Sequence, residues 1–315
     1  MEQSKISALC ADLPVECKWN ADGRKFTTMR CGGTLACVLF PRTIEAFVTL
    51  MRRLSAVQEP FAILGNGSNT ILSDDGYPFV VISTAQLCGV ERQGELLTAL
   101  CGTPLPYLAA FARDHALDGM PFAAGIPGSV GGAVAMNAGA YGACMRDILT
   151  VCTVFDCKNG LVRTVCAPEL GLSYRSSVLA KEKLVLLTAT FTLFAGDSVQ
   201  IAARMREFSQ KRAQTQPLGI PSAGSTFLRL PDGTSAGKVL EEAGMKGYRI
   251  GDAAISTVHA GFIVNLGHAS AQDILKLIQL AAKAVEARCG ILPQPEYRFL
   301  PDGKKAEDGT WSFCF

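Results

Sequence analysis

Apolar residues recur along this chain with two periods, and the alternation between them lays out a mixed α/β architecture. Residues 35–40 form a continuous apolar run that reads as a buried strand. Ile44, Phe47, Val48, Met51 and Leu54 then repeat at helical spacing, with Thr43 placed to cap the helix N-terminus. Residues 61–64 are a short buried strand that ends at Gly65, so the opening reads strand, helix, strand, glycine loop. Residues 79–100 alternate as strands, and 105–116 return to helical spacing. Segments 150–157 and 161–165 read as two strands joined at Asn159-Gly160, a strong hairpin signal. A further strand is expected at 184–194 and a charged amphipathic helix at 197–214. The last third predicts a helix at 237–243, a strand at 261–266 and a long helix at 270–288. In that helix Ile274, Leu277, Ile278, Ala281 and Val285 share a face, and Ser270 stands as N-cap beside Asp273.

Residues 1–25 read as a peripheral N-terminal extension. The break at Gln216-Pro217-Leu218-Gly219-Ile220-Pro221 puts a domain junction within 196–220. The expected division is therefore a first domain over 26–195, with subdomains at 26–84 and 85–195, and a second over 196–300. The polar tail 301–315 is expected to fray, apart from Trp311 and Phe313. No internal repeat is evident.

Composition narrows the classes. The chain has 315 residues, 49% hydrophobic and 18% charged, which is a globular composition with a sizeable core. A net charge of +2 without a basic arm gives no reason to expect nucleic acid. No apolar run is long enough to span a membrane. Glu2, Asp12 and Glu16 interrupt the N-terminus, so a secretion signal is not expected and a cytoplasmic protein is. The twelve cysteines include no C-x-x-C pair, and the histidines are only His115, His259 and His268, so no metal site is expected. Reduced, partly buried thiols acting as small hydrophobes are the expected state. A monomer or weak oligomer is expected.

The candidate chemistry lies in two glycine loops. Gly65-Asn66-Gly67-Ser68-Asn69 follows a buried strand, where glycine lets the backbone approach a ligand and Asn and Ser add donors. A tight polar turn explains this pentapeptide equally well. The second run, GIPGSVGG over 125–132, has four glycines and continues into small residues up to Gly142. Small side chains leave room for a flat ligand such as an isoalloxazine ring and for a pyrophosphate. Neither loop is G-x-G-x-x-G nor G-x-x-x-x-G-K-[ST], so Rossmann and P-loop readings fail.

Two such loops resemble the FAD-binding domain of the vanillyl-alcohol oxidase and para-cresol methylhydroxylase type. The longer strings TMRCGG, LGNGSN, GIPGSVGGAVAMNAGAYG, LSYRSS, PSAGSTF and AGKVLEEAGMKGYRIGDAAIS narrow the resemblance. Together, over about residues 26–299, they resemble the UDP-N-acetylenolpyruvoylglucosamine reductase family. The fold this implies is α+β: an FAD-binding domain of two α/β subdomains followed by a C-terminal α+β substrate domain. The activity implied is reduction of an enol ether of pyruvate on a UDP-sugar, UDP-N-acetylenolpyruvoylglucosamine, in peptidoglycan precursor synthesis. NADPH is the implied hydride donor and FAD the mediator. No His lies in either loop, so the FAD is expected to be non-covalent.

The resemblance implies cofactor contacts at Arg30, at Gly65, Asn66, Gly67, Ser68 and Asn69, and at Gly125, Ile126, Pro127, Gly128, Ser129, Gly131, Gly132 and Ala133. It implies Ser225 as proton donor, since an enolate-like carbon is basic enough to take a positioned hydroxyl proton. Arg175, beside Tyr174, is the implied electrophile, a planar fork for a carboxylate. Glu296 matches the family's C-terminal glutamate, a carboxyl whose burial would raise its pKa; Glu307 and Asp308 are distant alternatives. Tyr174, Arg229 and Lys238 are the implied substrate contacts, with Gln216 and His259 as weaker candidates. Arg175 is soon followed by the strand at Leu184, so the chain resembles the short type without a tyrosine-loop insert. Two alternatives stand beside this reading: an FAD-dependent oxidoreductase of the same fold acting on an alcohol or sugar, and a non-catalytic flavin- or nucleotide-binding regulator.

Overall fold

The computed structural model describes residues 2–301, 303–305 and 311–313. Its contacts group the chain into two units that interleave along the sequence. The first comprises Met1–Trp19, Cys37–Asn66 and Phe79–Lys211, and the second Asn20–Ala36, Gly67–Pro78 and Arg212–Phe315.

In the first unit the helix Ile44–Ala56 is capped by Thr43, whose Oγ1 accepts the Ala46 N–H at 3.1 Å. Its face of Phe47, Leu50, Met51 and Leu54 is completely buried. Each of these side chains contributes about 1.5–3 kcal/mol of hydrophobic stabilisation. A four-stranded sheet runs in the order Val15–Asp22, Thr34–Pro41, Tyr77–Ser83, Phe61–Leu64. Phe61–Leu64 and Tyr77–Ser83 are parallel, with Phe61 opposite Val80. A second sheet of five strands is antiparallel, in the order Val162–Cys166, Leu149–Asp156, Leu184–Thr192, Leu96–Leu100, Val90–Gln93. Its first hairpin turns at Asn159-Gly160, where Gly160 has φ 72° and the Asp156 carboxylate accepts the Lys158 N–H.

The described residues of the expected extension, 2–25, are not peripheral. Gln3–Cys10 is a helix with Ile6 fully buried in the first unit's core, and Val15–Asp22 is a sheet strand. Arg53 ties this segment down by donating to the Leu9 carbonyl at 2.8 Å and to both carboxylate oxygens of Asp12. The helix is only two turns long, and its few apolar positions are lost among polar neighbours in the sequence.

The second unit is built on a four-stranded sheet in the order Ser222–Ser225, Phe262–Asn265, Ala253–Ile255, Arg249–Ile250. The helices Ala236–Glu242 and Ala271–Cys289 supply its core with Leu240, Ile274, Leu277 and Ile278. Ser270 and Asp273 close a capping box on the long helix. Two early segments join this unit for identifiable reasons. The Asp74 carboxylate accepts the N–H groups of Ala271 and Gln272 at 2.8 and 2.9 Å, satisfying orphan donors of that helix. Thr70–Leu72 pairs in parallel with Arg298–Leu300. Asn265 donates to the carbonyls of Met29 and Arg30 at 3.0 and 3.2 Å. Consecutive ranges therefore do not describe how the contacts are shared.

The tail differs from a frayed end: Gly303–Lys305 pairs antiparallel with Trp311–Phe313. Glu307, Asp308 and Cys314 lie outside the described residues. The eleven described cysteines are unbridged. Burial pushes the Cys10 thiol up to about 11 and those of Cys31, Cys101 and Cys152 up to about 12, so they stay protonated at neutral pH. Among the described residues no helix is long and apolar enough to cross a membrane.

Candidate active site

The strand Phe61–Leu64 delivers Gly65 and Asn66 to the run that begins at Gly125. Asn66 Nδ2 donates to the Pro127 carbonyl at 2.5 Å. A Cβ on Gly65 would stand 2.5 Å from Ser129 Oγ, so any larger residue there would push the Ser129 hydroxyl aside. The glycine run is not an open loop throughout, because Val130–Ala135 is helical. Glycine disfavours helix by about 1 kcal/mol per residue, and tertiary anchoring overrides that preference. The anchors are Leu105 N–H to Gly128 O at 2.9 Å, Val130 N–H to Thr103 O at 2.9 Å and Gly131 N–H to Cys101 O at 2.7 Å. Ala133 is buried in the hydrophobic core on this helix. The Ile126 N–H is taken by the Ala123 carbonyl at 3.1 Å.

Several of these residues line a cavity of about 200 Å³ in the first unit, Gly65, Ser129, Gly131 and Gly132 together with the apolar Ile63 and Leu186. Ser129 Oγ is buried there without a hydrogen-bond partner. Such an orphan costs about 1–3 kcal/mol, which a polar group of a bound ligand offsets. A glycine-lined cradle, apolar walls and one unsatisfied hydroxyl fit part of a flavin nucleotide. Gly67, Ser68 and Asn69 group with the second unit. Gly67 has φ +60°, and a Cβ there would meet the Phe26 carbonyl oxygen at 2.0 Å. Arg30 is exposed, with φ 55°, and lines a polar groove of the second unit with Arg24 and His268.

Arg175 stands on a tight turn of the first unit. Ser173 and Ser176 exchange two backbone hydrogen bonds of 3.1 Å, which leaves Tyr174 and Arg175 at the tip. Arg175 has φ 52°, a left-handed conformation that costs a non-glycine residue about 1–2 kcal/mol. Its guanidinium carbon is 5.3 Å from the Tyr174 ring centroid, within cation–π range, and Tyr174 is exposed. Buried Asn137 holds the turn: its Nδ2 donates to the Ser173 carbonyl at 3.0 Å and its Oδ1 accepts the Arg146 N–H at 2.9 Å. Ser177 Oγ donates to the Ala135 carbonyl at 2.7 Å. The Arg175 turn is thus fastened to the continuation of the glycine run. Asn137 was not singled out from the sequence; its only signal was a polar residue among small apolar ones.

Ser225 and Glu296 lie together in the second unit. The strand Ser222–Ser225 pairs with Phe262–Asn265, Ser222 opposite Val264 and Ser225 opposite Phe262, so the ladder is bulged between them. Gly224 occupies the bulge with φ +85°, and such a bulge re-aims the residue beside it. The Thr226 carbonyl accepts the Glu296 N–H at 2.8 Å, which sets the backbones of 225–226 and 296 side by side. Asn69 Nδ2 donates to the Glu296 carbonyl at 3.0 Å, and Arg298 N–H donates to the Asn69 carbonyl at 2.8 Å. Glu296 is half-buried and fixed from both sides. Tyr297, buried next to it, donates to the Gly224 carbonyl at 3.1 Å.

The remaining substrate candidates are spread over the second unit. Arg229 is exposed, and its Nη1 donates to the Gly233 carbonyl at 3.1 Å. Lys238 lies on Ala236–Glu242, its Nζ 4.0 Å from Glu242. Gln216 Oε1 is buried with no partner. His259 accepts the Gly261 N–H on Nδ1 at 2.9 Å, and burial lowers its pKa, so the ring is neutral with its proton on Nε2.

Comparison with known proteins converges with this geometry. An FAD binding domain model matches residues 35–165, and the model of the UDP-N-acetylenolpyruvoylglucosamine reductase C-terminal domain matches residues 216–300. The fold and the paired loops define an FAD-dependent oxidoreductase whose flavin domain is of the vanillyl-alcohol oxidase and para-cresol methylhydroxylase type. A UDP-N-acetylenolpyruvoylglucosamine reductase of Caldicellulosiruptor bescii is 42% identical over 88% of this chain and 88% of its own length. One from Clostridium novyi is 40% identical over 93% of this chain and 94% of its own. The crystal structure of UDP-N-acetylenolpyruvylglucosamine reductase (MurB) from Thermus caldophilus aligns with a TM-score of 0.77 at 34% identity, covering 91% of this chain and 99% of that one. The chain belongs to the UDP-N-acetylenolpyruvoylglucosamine reductase family.

Proposed function

We propose that this chain reduces UDP-N-acetylenolpyruvoylglucosamine to UDP-N-acetylmuramate in peptidoglycan precursor synthesis, with NADPH as hydride donor and FAD held non-covalently. The observation that carries the reading is the bond from the Glu296 N–H to the Thr226 carbonyl at 2.8 Å, which sets Glu296 beside the Ser225 strand, inside the segment matched by the family's C-terminal domain. Bound FAD would relay hydride from NADPH to the methylene carbon of the enolpyruvyl group. Gly65, Asn66, Gly128, Ser129, Gly131 and Gly132 would hold it, with the orphan Ser129 hydroxyl facing one of its polar groups.

The chain's own residues then manage charge and one proton. Addition of hydride at the methylene carbon leaves negative charge on the adjacent carbon and the carboxylate. Arg175 offers a permanent positive fork to that carboxylate. Glu296, when its carboxyl carries a proton, donates a hydrogen bond to the developing enediolate. Ser225 Oγ gives its proton to the adjacent carbon and recovers one from solvent. Tyr174, Arg229 and Lys238 bind the UDP-sugar. UDP-sugars and NADPH are cytoplasmic pools, and we place the reaction there.

The purified protein is expected to be yellow, to release free flavin on denaturation, and to bleach with NADPH under anaerobic conditions. A colourless protein that takes up no FAD on reconstitution overturns the reading.

A further inference from the structure

We propose that Tyr297 is a positioning residue whose phenol holds the residues on both sides of Ser225, the Gly224 carbonyl and the Thr226 hydroxyl, and couples Ser225 to the adjacent Glu296. This deepens the proposed function and rests on it. Tyr297 Oη donates to the Gly224 carbonyl at 3.1 Å and lies 3.0 Å from Thr226 Oγ1 in a fully buried contact. A phenol has one proton, and the Gly224 carbonyl takes it, so the Thr226 hydroxyl is the donor in the second bond. The chain of donors runs Thr226 to Tyr297 to Gly224, and Ser225 is the residue it brackets.

Three features make this a device for aiming Ser225 rather than ordinary core filling. Gly224 sits in the bulge at φ +85°, where the strand is most free to change direction, and the phenol grips that carbonyl. Tyr297 directly follows Glu296, whose N–H is held by the Thr226 carbonyl at 2.8 Å. Tyr297 is thus joined through the backbone to Glu296 and through its phenol to the two neighbours of Ser225, which links the two groups to which the chemistry is assigned. Burial also pushes the phenol above its usual range, so it remains a neutral donor across the working pH.

The test is anaerobic rapid mixing of the holoenzyme, following flavin reduction by NADPH and its reoxidation by UDP-N-acetylenolpyruvoylglucosamine separately. Tyr297→Phe keeps the ring and removes the grip. It is expected to leave flavin reduction within about twofold and to slow reoxidation by roughly 10- to 100-fold, the effect of an ångström-scale misplacement. Thr226→Val is expected to slow the same step, while Thr226→Ser, which keeps the hydroxyl, restores most of it. The Thr226 pair decides the matter should Tyr297→Phe fail to fold. Wild-type reoxidation in both Tyr297→Phe and Thr226→Val, or equal slowing of both half-reactions, overturns the inference. Ser225→Ala serves as reference. If it is blocked while the other variants are normal, only the role of Tyr297 falls. If it reoxidises normally, the assignment of Ser225 falls and this inference with it.

Discussion

Ser225→Ala is expected to lower the rate of substrate-driven flavin reoxidation by about 10²–10⁴-fold, the usual worth of a positioned general acid. Reduction by NADPH is expected to stay near the wild-type rate, because no proton from Ser225 enters that half-reaction. Folding is expected to be almost unaffected, since Ser225 is only partly buried and its strand is held by the Thr226 N–H to Gly261 carbonyl bond at 2.8 Å. The measurement is the same two-phase anaerobic experiment, with thermal denaturation as a control. Cysteine at this position tests the same point from the other side. It keeps a proton to give and is expected to retain part of the activity that alanine loses. Full turnover by the alanine variant removes Ser225 from the mechanism.

Gly67→Ala is expected to be the most destabilising single-methyl change in the two loops. Its Cβ would meet Phe26 O at 2.0 Å, Thr27 Cα at 2.9 Å and Phe26 C at 3.0 Å, all backbone atoms that cannot step aside alone. Left-handed φ adds about 1–2 kcal/mol, and forced repacking about 1–3 kcal/mol, for a total of roughly 2–5 kcal/mol. Gly94 is the matched control: its φ is +62° against +60° at Gly67, with nothing within 4 Å of its Cβ position. Gly94→Ala therefore carries only the backbone cost. Thermal unfolding of the two variants should separate them by several degrees, with Gly67→Ala the lower. Equal melting temperatures would show that the Phe26–Gly67 approach is looser than described.

Most of the helices and strands were legible because their signal is local. The helical spacing of Phe47, Met51 and Leu54, and the Ser270–Asp273 capping box, need no knowledge of the rest of the chain. What escaped was set at long range. That residues 67–78 belong with the C-terminal part depends on Asp74 capping Ala271–Cys289 and on Thr70–Leu72 pairing with Arg298–Leu300, and neither has a local signature. The helix Val130–Ala135 was hidden for the opposite reason. Its glycines speak against helix, and the carbonyls of Cys101 and Thr103 overrule them.

The candidate site divides in the same way. Gly65, Ser129, Arg175 and Ser225 could be named because the family strings carry them, and Glu296 because it matches the family's C-terminal glutamate. Asn137 and Thr226 also stand in those strings, but nothing there gives them or Tyr297 the role of holding those residues in place. A positioning side chain is recognised by its partners, and the sequence does not display partners. Asn69 illustrates the point. Its place in the loop marked it for the cofactor, and the structure shows its amide donating to the Glu296 carbonyl.

The central claim, that this flavoprotein passes hydride to UDP-N-acetylenolpyruvoylglucosamine, is tested most directly by one anaerobic turnover. Holoenzyme bleached with one equivalent of NADPH is mixed with that substrate, and the flavin absorbance and the product are followed together. Prompt return of the oxidised flavin spectrum is expected, with one UDP-N-acetylmuramate formed per flavin. Flavin that stays reduced in the presence of the substrate, or returns to the oxidised state without forming that product, would contradict it.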